Sequence, residues 1–169
     1  MHRVVAACAL GVLLVASVAA PVAAAPTKVT SGPPDVTDEF AAGDVCGFTL
    51  RLEGWTFEHV TEGEDAQGNP RIVVTGGGIT RITNVDTSAS VIRRTQGRVV
   101  ITDFADEETL SFAGRQLLYF FPGDVGPTGT DGGLFLMTGR VHEVLDFESF
   151  LITSFRYAGR YEDLCALLD

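Results

Sequence analysis

Beyond the first 24 positions the reactive side chains are few: two histidines, His59 and His142, and two cysteines, Cys46 and Cys165. A histidine next to a serine or cysteine would supply the base of a nucleophilic pair. No Gly-x-Ser-x-Gly elbow is present to lift a serine into reach of either one. His142 alternates with Val141 and Glu143 and has Val144 and Asp146 as face-mates, which puts it on a solvated face. His59 shares its face with Trp55 and Phe57 and is the better candidate for a buried role. Two sulfurs without a neighbouring histidine make a poor zinc site, so Cys46 and Cys165 are predicted to form a disulfide. The acidic cluster of Asp103, Asp106, Glu107 and Glu108 has the oxygen donors a hard cation takes, but neither the spacing nor the glycine of an EF-hand loop. Its expected role is a solvated hairpin tip. The glycine-rich stretch 123–133 contains no Gly-Lys-Ser/Thr and is therefore a long connection rather than a phosphate loop. No cofactor or metal is expected.

Aromatic residues carry the remaining signal. Trp55, Phe57 and His59 keep one face of a strand by alternation, as do Tyr119 and Phe121 on a later one, and Tyr157 lies on a third. Inside a barrel these six residues would either fill the core or line a cavity for a small, largely apolar ligand. The first reading is therefore a non-catalytic β-barrel scaffold that takes a small apolar molecule. The alternative is a cyclase- or isomerase-like enzyme with a barrel-interior active site. It needs polar groups converging in that cavity, for instance His59, Arg81 or Arg156 with a carboxylate alongside.

The amino terminus reads as an address. Met1-His2-Arg3 is a basic start, residues 4–20 are apolar or small, and small residues lead up to Pro26. This is the pattern of a secretory signal peptide over residues 1–24, cut after Ala24, and the apolar run is too short to span a bilayer. A secreted, extracellular location also suits a disulfide. Removing Arg3 leaves 11 basic against 22 acidic residues. On net charge alone, nucleic acid and stable membrane association are disfavoured.

The 169 residues suit a single domain. Residues 25–44, with three prolines and no sustained period, are expected to be a flexible leader. From Val45 short apolar runs alternate with turn signals, as in an all-β sandwich or barrel. Phe48, Leu50 and Leu52 alternate with polar residues, the phase moves by one at Gly54, and that glycine is read as a β-bulge. Residues 62–70 form a polar hairpin loop. Further strands are expected at 71–75 and 78–84 with a bend at Gly76-Gly77-Gly78, and at 90–95 and 98–102 with a turn at Gln96-Gly97. They continue at 109–112, 116–121, 134–138, 140–146 and 151–158, with a last strand or helical turn at 161–168. A pair of cysteines bracketing this meander brings its ends together. The prediction is an antiparallel β-barrel of about eight strands over 45–169, closed by the terminal disulfide.

The order of motifs resembles a group of small secreted proteins of unknown function from actinobacteria. It consists of Asp44-Val45-Cys46-Gly47-Phe48, then Ile82-Thr83-Asn84-Val85-Asp86-Thr87, then Thr138-Gly139-Arg140-Val141, and finally Asp163-Leu164-Cys165-Ala166-Leu167-Leu168. The resemblance covers nearly all of 44–168 and implies secretion and a terminal disulfide, with no known reaction. Members often place Gly-Lys after the Thr-Asn-x-x-Thr turn, where this chain has Ser88-Ala89-Ser90. In architecture alone the meander is similar to allene oxide cyclase and dirigent-type barrels, and no catalytic residue is carried over from them.

Overall fold

The computed structural model describes residues 33–104 and 106–169. The expected signal peptide, 1–24, and the first part of the expected leader lie outside them. Seven antiparallel strands form one sheet in sequence order: β1 (Val36–Phe40), β2 (Leu50–Glu64), β3 (Pro70–Asn84), β4 (Ser90–Asp103), β5 (Glu107–Phe120), β6 (Gly133–Asp146) and β7 (Leu151–Asp163). A short helix, α1 (Leu164–Leu168), follows and is N-capped by the Asp163 carboxylate, which accepts from the Ala166 N–H. The fold is all-β as expected, but the sheet is not closed: β1 and β7 are its two edges and do not pair. Strand β1 lies inside the stretch expected to be a flexible leader. It pairs with the first residues of β2 and sends Phe40 against Tyr119 and Phe121.

Several strands expected as separate pieces are continuous. Residues 71–75 and 78–84 are both in β3, 90–95 and 98–102 in β4, and 134–138 and 140–146 in β6. Gly76 and Gly97, read as a bend and a turn, instead stand in a row of glycines opposite one another across five strands: Gly76 pairs with Gly97, Gly97 with Gly114, Gly114 with Gly139, and Gly139 with Gly159. At Gly114 φ is +126°, and a Cβ there would overlap the Gln96 carbonyl oxygen. At Gly139 φ is +139°, and a Cβ would overlap the Ala158 carbonyl oxygen. Only glycine supports this conformation and this closeness of backbones, so the row bends every strand without ending it. The bulge expected at Gly54 is absent. Pairing of β2 with β3 runs through Glu53, Gly54 and Trp55 without a shift. The change of phase there comes from burial, since Leu52 packs on one face and Trp55 on the other. Among the described residues the pairing shifts between Val144 and Leu145, opposite β7.

On the hairpin side of the glycine row, six strands form a continuous sheet. Its inner face carries Val74, Val99, Ile101, Leu110, Phe112, Val141 and Leu145. On the other side, pairing of β4 with β5 stops at Gln96 and Arg115, and the strands part into two leaves, β1–β4 and β5–β7. Leu50, Leu52 and Ile82 of one leaf pack against Leu117, Leu134 and Leu136 of the other. Leu118, Phe120, Phe135 and Met137, on the opposite face of the β5–β7 leaf, join the inner-face core. In β5 and β6 this leaf is buried on both faces, which explains the unbroken apolar runs in their sequence.

The predicted disulfide is present, with the Cys46 and Cys165 Cα atoms 5.4 Å apart. One cysteine precedes β2 and the other lies in α1, so the bond ties the two leaves across their shared core instead of joining two strands into a ladder. That is why it does not close the sheet. Asn84, buried at the β3–β4 turn, reinforces the tie. Its Nδ2 donates to the Leu168 carbonyl at 3.0 Å, and its Oδ1 accepts from the N–H groups of Asp86 and Thr87.

Candidate functional site

The six aromatic-face residues fall in separate places in the structure. Tyr119 and Phe121 meet at 5.6 Å between ring centroids and pack with Phe40 against the core between the leaves. Trp55 is buried, and the Arg81 guanidinium sits 5.5 Å from its ring centroid. Phe57 is half exposed and His59 is exposed, so His59 does not take the buried position its neighbours suggested. The reason is pairing: β2 beyond Gly54 has β3 on one side only, and nothing covers its outer face. Tyr157, on edge strand β7, stacks between Phe155 and Tyr161 and is 42% exposed. Of the polar groups that would mark a barrel-interior active site, Arg81 pairs with Glu53 at 3.3 Å and Arg156 has no carboxylate beside it.

The sheet collects a different constellation on its outer face. Register places His59, Thr75, Arg98, Ala113, Arg140 and Ala158 side by side in one cross-strand row. The next row is Thr61, Val73, Val100, Ser111, His142 and Arg156. Adjacent strands are about 4.8 Å apart, so Arg98 and Arg140 flank Ala113 with backbones about 10 Å from each other. The small side chains of Ala113 and Ala158 leave a groove of about 410 Å³, edged by Arg98, Arg140, His142 and Arg156 and floored partly by Val100. All four cationic or titratable side chains at this edge are exposed. The flanking rows add Arg115 and Arg160 on the glycine side and Arg71 on the hairpin side. Four rows across six strands thus hold six of the ten arginines of the described residues and no acidic residue.

Of the other four arginines, Arg94 lies in the next row, opposite Ile79, and three are ion-paired. Arg51 pairs with Glu39 at 2.8 Å, Arg81 with Glu53, and Arg93 of one leaf with Glu162 of the other at 2.5 Å. The hydrogen bond from Arg93 holds the Glu162 carboxyl below its usual range, and Arg115 contributes to this from a greater distance. Among the described residues none of the six outer-face arginines has a carboxylate within 4 Å. Like charges grouped on one sheet face repel, so this arrangement costs stability that an anion would offset.

Ser111 Oγ lies 3.0 Å from His142 Nδ1 and is the one serine–histidine contact among the described residues. It falls short of an acyl-transfer site. No carboxylate holds the other ring nitrogen, and the surrounding N–H groups belong to the β-ladder, leaving no paired donors for an oxyanion. No group of three metal-ligating side chains is placed together among the described residues. What the arrangement can do is hold an anion. Arginine presents a planar fork of donors that matches carboxylate, phosphate or sulfate oxygens.

Sequence reasoning missed this groove because it weighed net charge and followed aromatic residues. The signal was nevertheless in the alternation: Arg98 is out of phase with Val99 and Ile101, Arg140 and His142 with Val141, and Arg156 with Phe155. Comparison with known proteins adds nothing to this picture: no family model matches the chain, and no curated protein or solved structure does.

Proposed function

We propose that the protein is a secreted, non-catalytic β-sheet scaffold that binds an anion on its outer face. The observation that carries this reading is the groove itself, where Arg98, Arg140 and Arg156 gather around an alanine floor without a carboxylate partner. The bound species has an anionic head for the arginines and a compact, neutral body over Val100, Ala113 and Ala158. The ligand expected from the sequence was largely apolar and interior. The present proposal keeps the scaffold role and moves the ligand to the sheet surface, with charge as the main attraction.

Titration calorimetry with phosphate, sulfate and glucuronate tests the reading. Saturable binding is expected at low ionic strength, weakened at least tenfold by Arg98→Gln or Arg140→Gln, because each substitution removes one fork of charge-assisted hydrogen bonds. Both positions are exposed, so the variants should fold as the parent does. No heat and no thermal shift with any of the three anions at 10 mM, ~10 mM being far above a useful affinity, would remove the proposal.

A further inference from the structure

The cationic surface is larger than the groove. With six strands about 4.8 Å apart, the acid-free face is about 24 Å wide, well beyond a single small anion. Arg115 and Arg160 stand one row from the groove and Arg71 one row to the other side, and none of the three lines it. Between the arginines the face presents neutral hydroxyls, including Thr75, Thr138 and Ser111. A face of alternating guanidinium and hydroxyl groups matches a polymer that itself alternates anionic groups with neutral hydroxyls. Nucleic acid fits less well, because single strands are held by aromatic platforms. Besides the imidazoles of His59 and His142, the one aromatic ring in the four rows is Phe57, at their edge.

We infer that this face docks an acidic polysaccharide, with one charged group seated between Arg98 and Arg140 and neighbouring groups reaching Arg115 and Arg160 or Arg71. The inference rests on the anion-binding reading of the groove and extends it to a chain-like partner. A chain spanning several sites gains affinity by linkage without needing any single strong contact. Release of its counterions should make binding steeply salt-dependent.

The test uses the disulfide-intact protein and alginate oligomers of graded length, with glucuronate as the single-charge probe. Affinity should rise at least tenfold from glucuronate to the longest oligomer and fall as salt increases. The double variant Arg115→Gln and Arg160→Gln should lose at least tenfold in affinity for the long oligomer while keeping its affinity for glucuronate. Arg98→Gln should weaken both. Circular dichroism and the urea midpoint establish that each variant is folded. If glucuronate binds and length brings no gain, the polysaccharide inference is wrong and the groove reading stands. If neither binds, both are wrong. If single-stranded DNA of matched charge, or vesicles containing phosphatidylglycerol, bind as tightly as the long oligomer, the assignment to a polysaccharide is overturned.

Discussion

Glu143 lies on the inner face of β6, between Val141 and Leu145, and is 2% exposed. Its Oε1 has no hydrogen-bond partner. Burial, with a smaller contribution from the nearby Asp124 carboxylate, pushes its pKa up from 4.5 to about 8. The folded protein therefore keeps a proton that the unfolded chain releases above pH 4.5. Stability should be unaffected by this group below about pH 4.5, fall as pH rises through the window from 4.5 to 8, and level off above it. A shift of this size corresponds to about 5 kcal/mol across the window, at 1.36 kcal/mol per unit. That is comparable to the entire stability of many domains, about 5–15 kcal/mol. Glu143→Gln keeps the shape and removes the titration. Urea unfolding of both proteins, followed by the fluorescence of the single tryptophan Trp55, should give nearly equal stabilities at pH 4, with the variant ahead by about 5 kcal/mol at pH 9. Asp124, which accepts from the N–H groups of Phe121 and Ile152, is common to both proteins and cancels in the difference. Stability curves that run parallel from pH 4 to pH 9 would refute the reasoning, because they would mean that Glu143 ionises in the folded state as it does in water.

Two further predictions concern the frame. Gly139→Ala places a Cβ against the Ala158 carbonyl at a φ of +139° and should cost on the order of 3 kcal/mol or prevent folding, whereas Gly63→Ala, which meets open space, should change the urea midpoint little. Equal midpoints for the two variants would show that the glycine row is not under steric constraint. Replacing Cys46 and Cys165 with serine opens a loop with a sequence separation of 119, for which the chain-entropy estimate is about 5 kcal/mol. A loss of about 3–5 kcal/mol is expected in urea unfolding, and an unchanged midpoint would mean that the two leaves are held by their core alone.

The parts of the fold legible in the sequence were those set by local alternation and by a single pairing choice. Phe48, Leu50 and Leu52 announced a half-buried segment, the polar stretches at 62–70 and 103–108 became hairpin ends, and two cysteines allowed only one bond. The glycines were the main obstacle. Locally, Gly97 after Gln96 carries the signature of a turn, and only its alignment with Gly76 and Gly114 on the neighbouring strands marks it as a point of bending. Such alignment is a property of register, which depends on contacts across the sheet and is not stated by any one segment. Strand β1 was hidden for the same reason. Nothing within 36–40 demands a strand, and its place is fixed by the free edge of β2 and by Phe40 meeting Tyr119 and Phe121.

The candidate site was illegible for a related reason, since its arginines come from five strands and the net charge of −10 conceals them. The fold also explains how such a face can exist. Because bending at the glycine row folds the β5–β7 leaf over the inner face, the hairpin side of the sheet is sealed by Leu118, Phe120, Phe135 and Met137 from within. Its outer face then contributes little apolar burial, and the side chains there are not held by the demands of the core. Small residues such as Ala113 and Ala158 and exposed arginines occupy the outward-facing positions, which no second layer requires to be large and apolar. Stability and recognition are in this way assigned to opposite faces of the same strands. Glu143 acts on the first and Arg140, on the same strand with its side chain on the other face, acts on the second. Substituting Arg140 should change anion binding with little effect on the urea midpoint, whereas Glu143→Gln should shift the alkaline midpoint and leave binding intact.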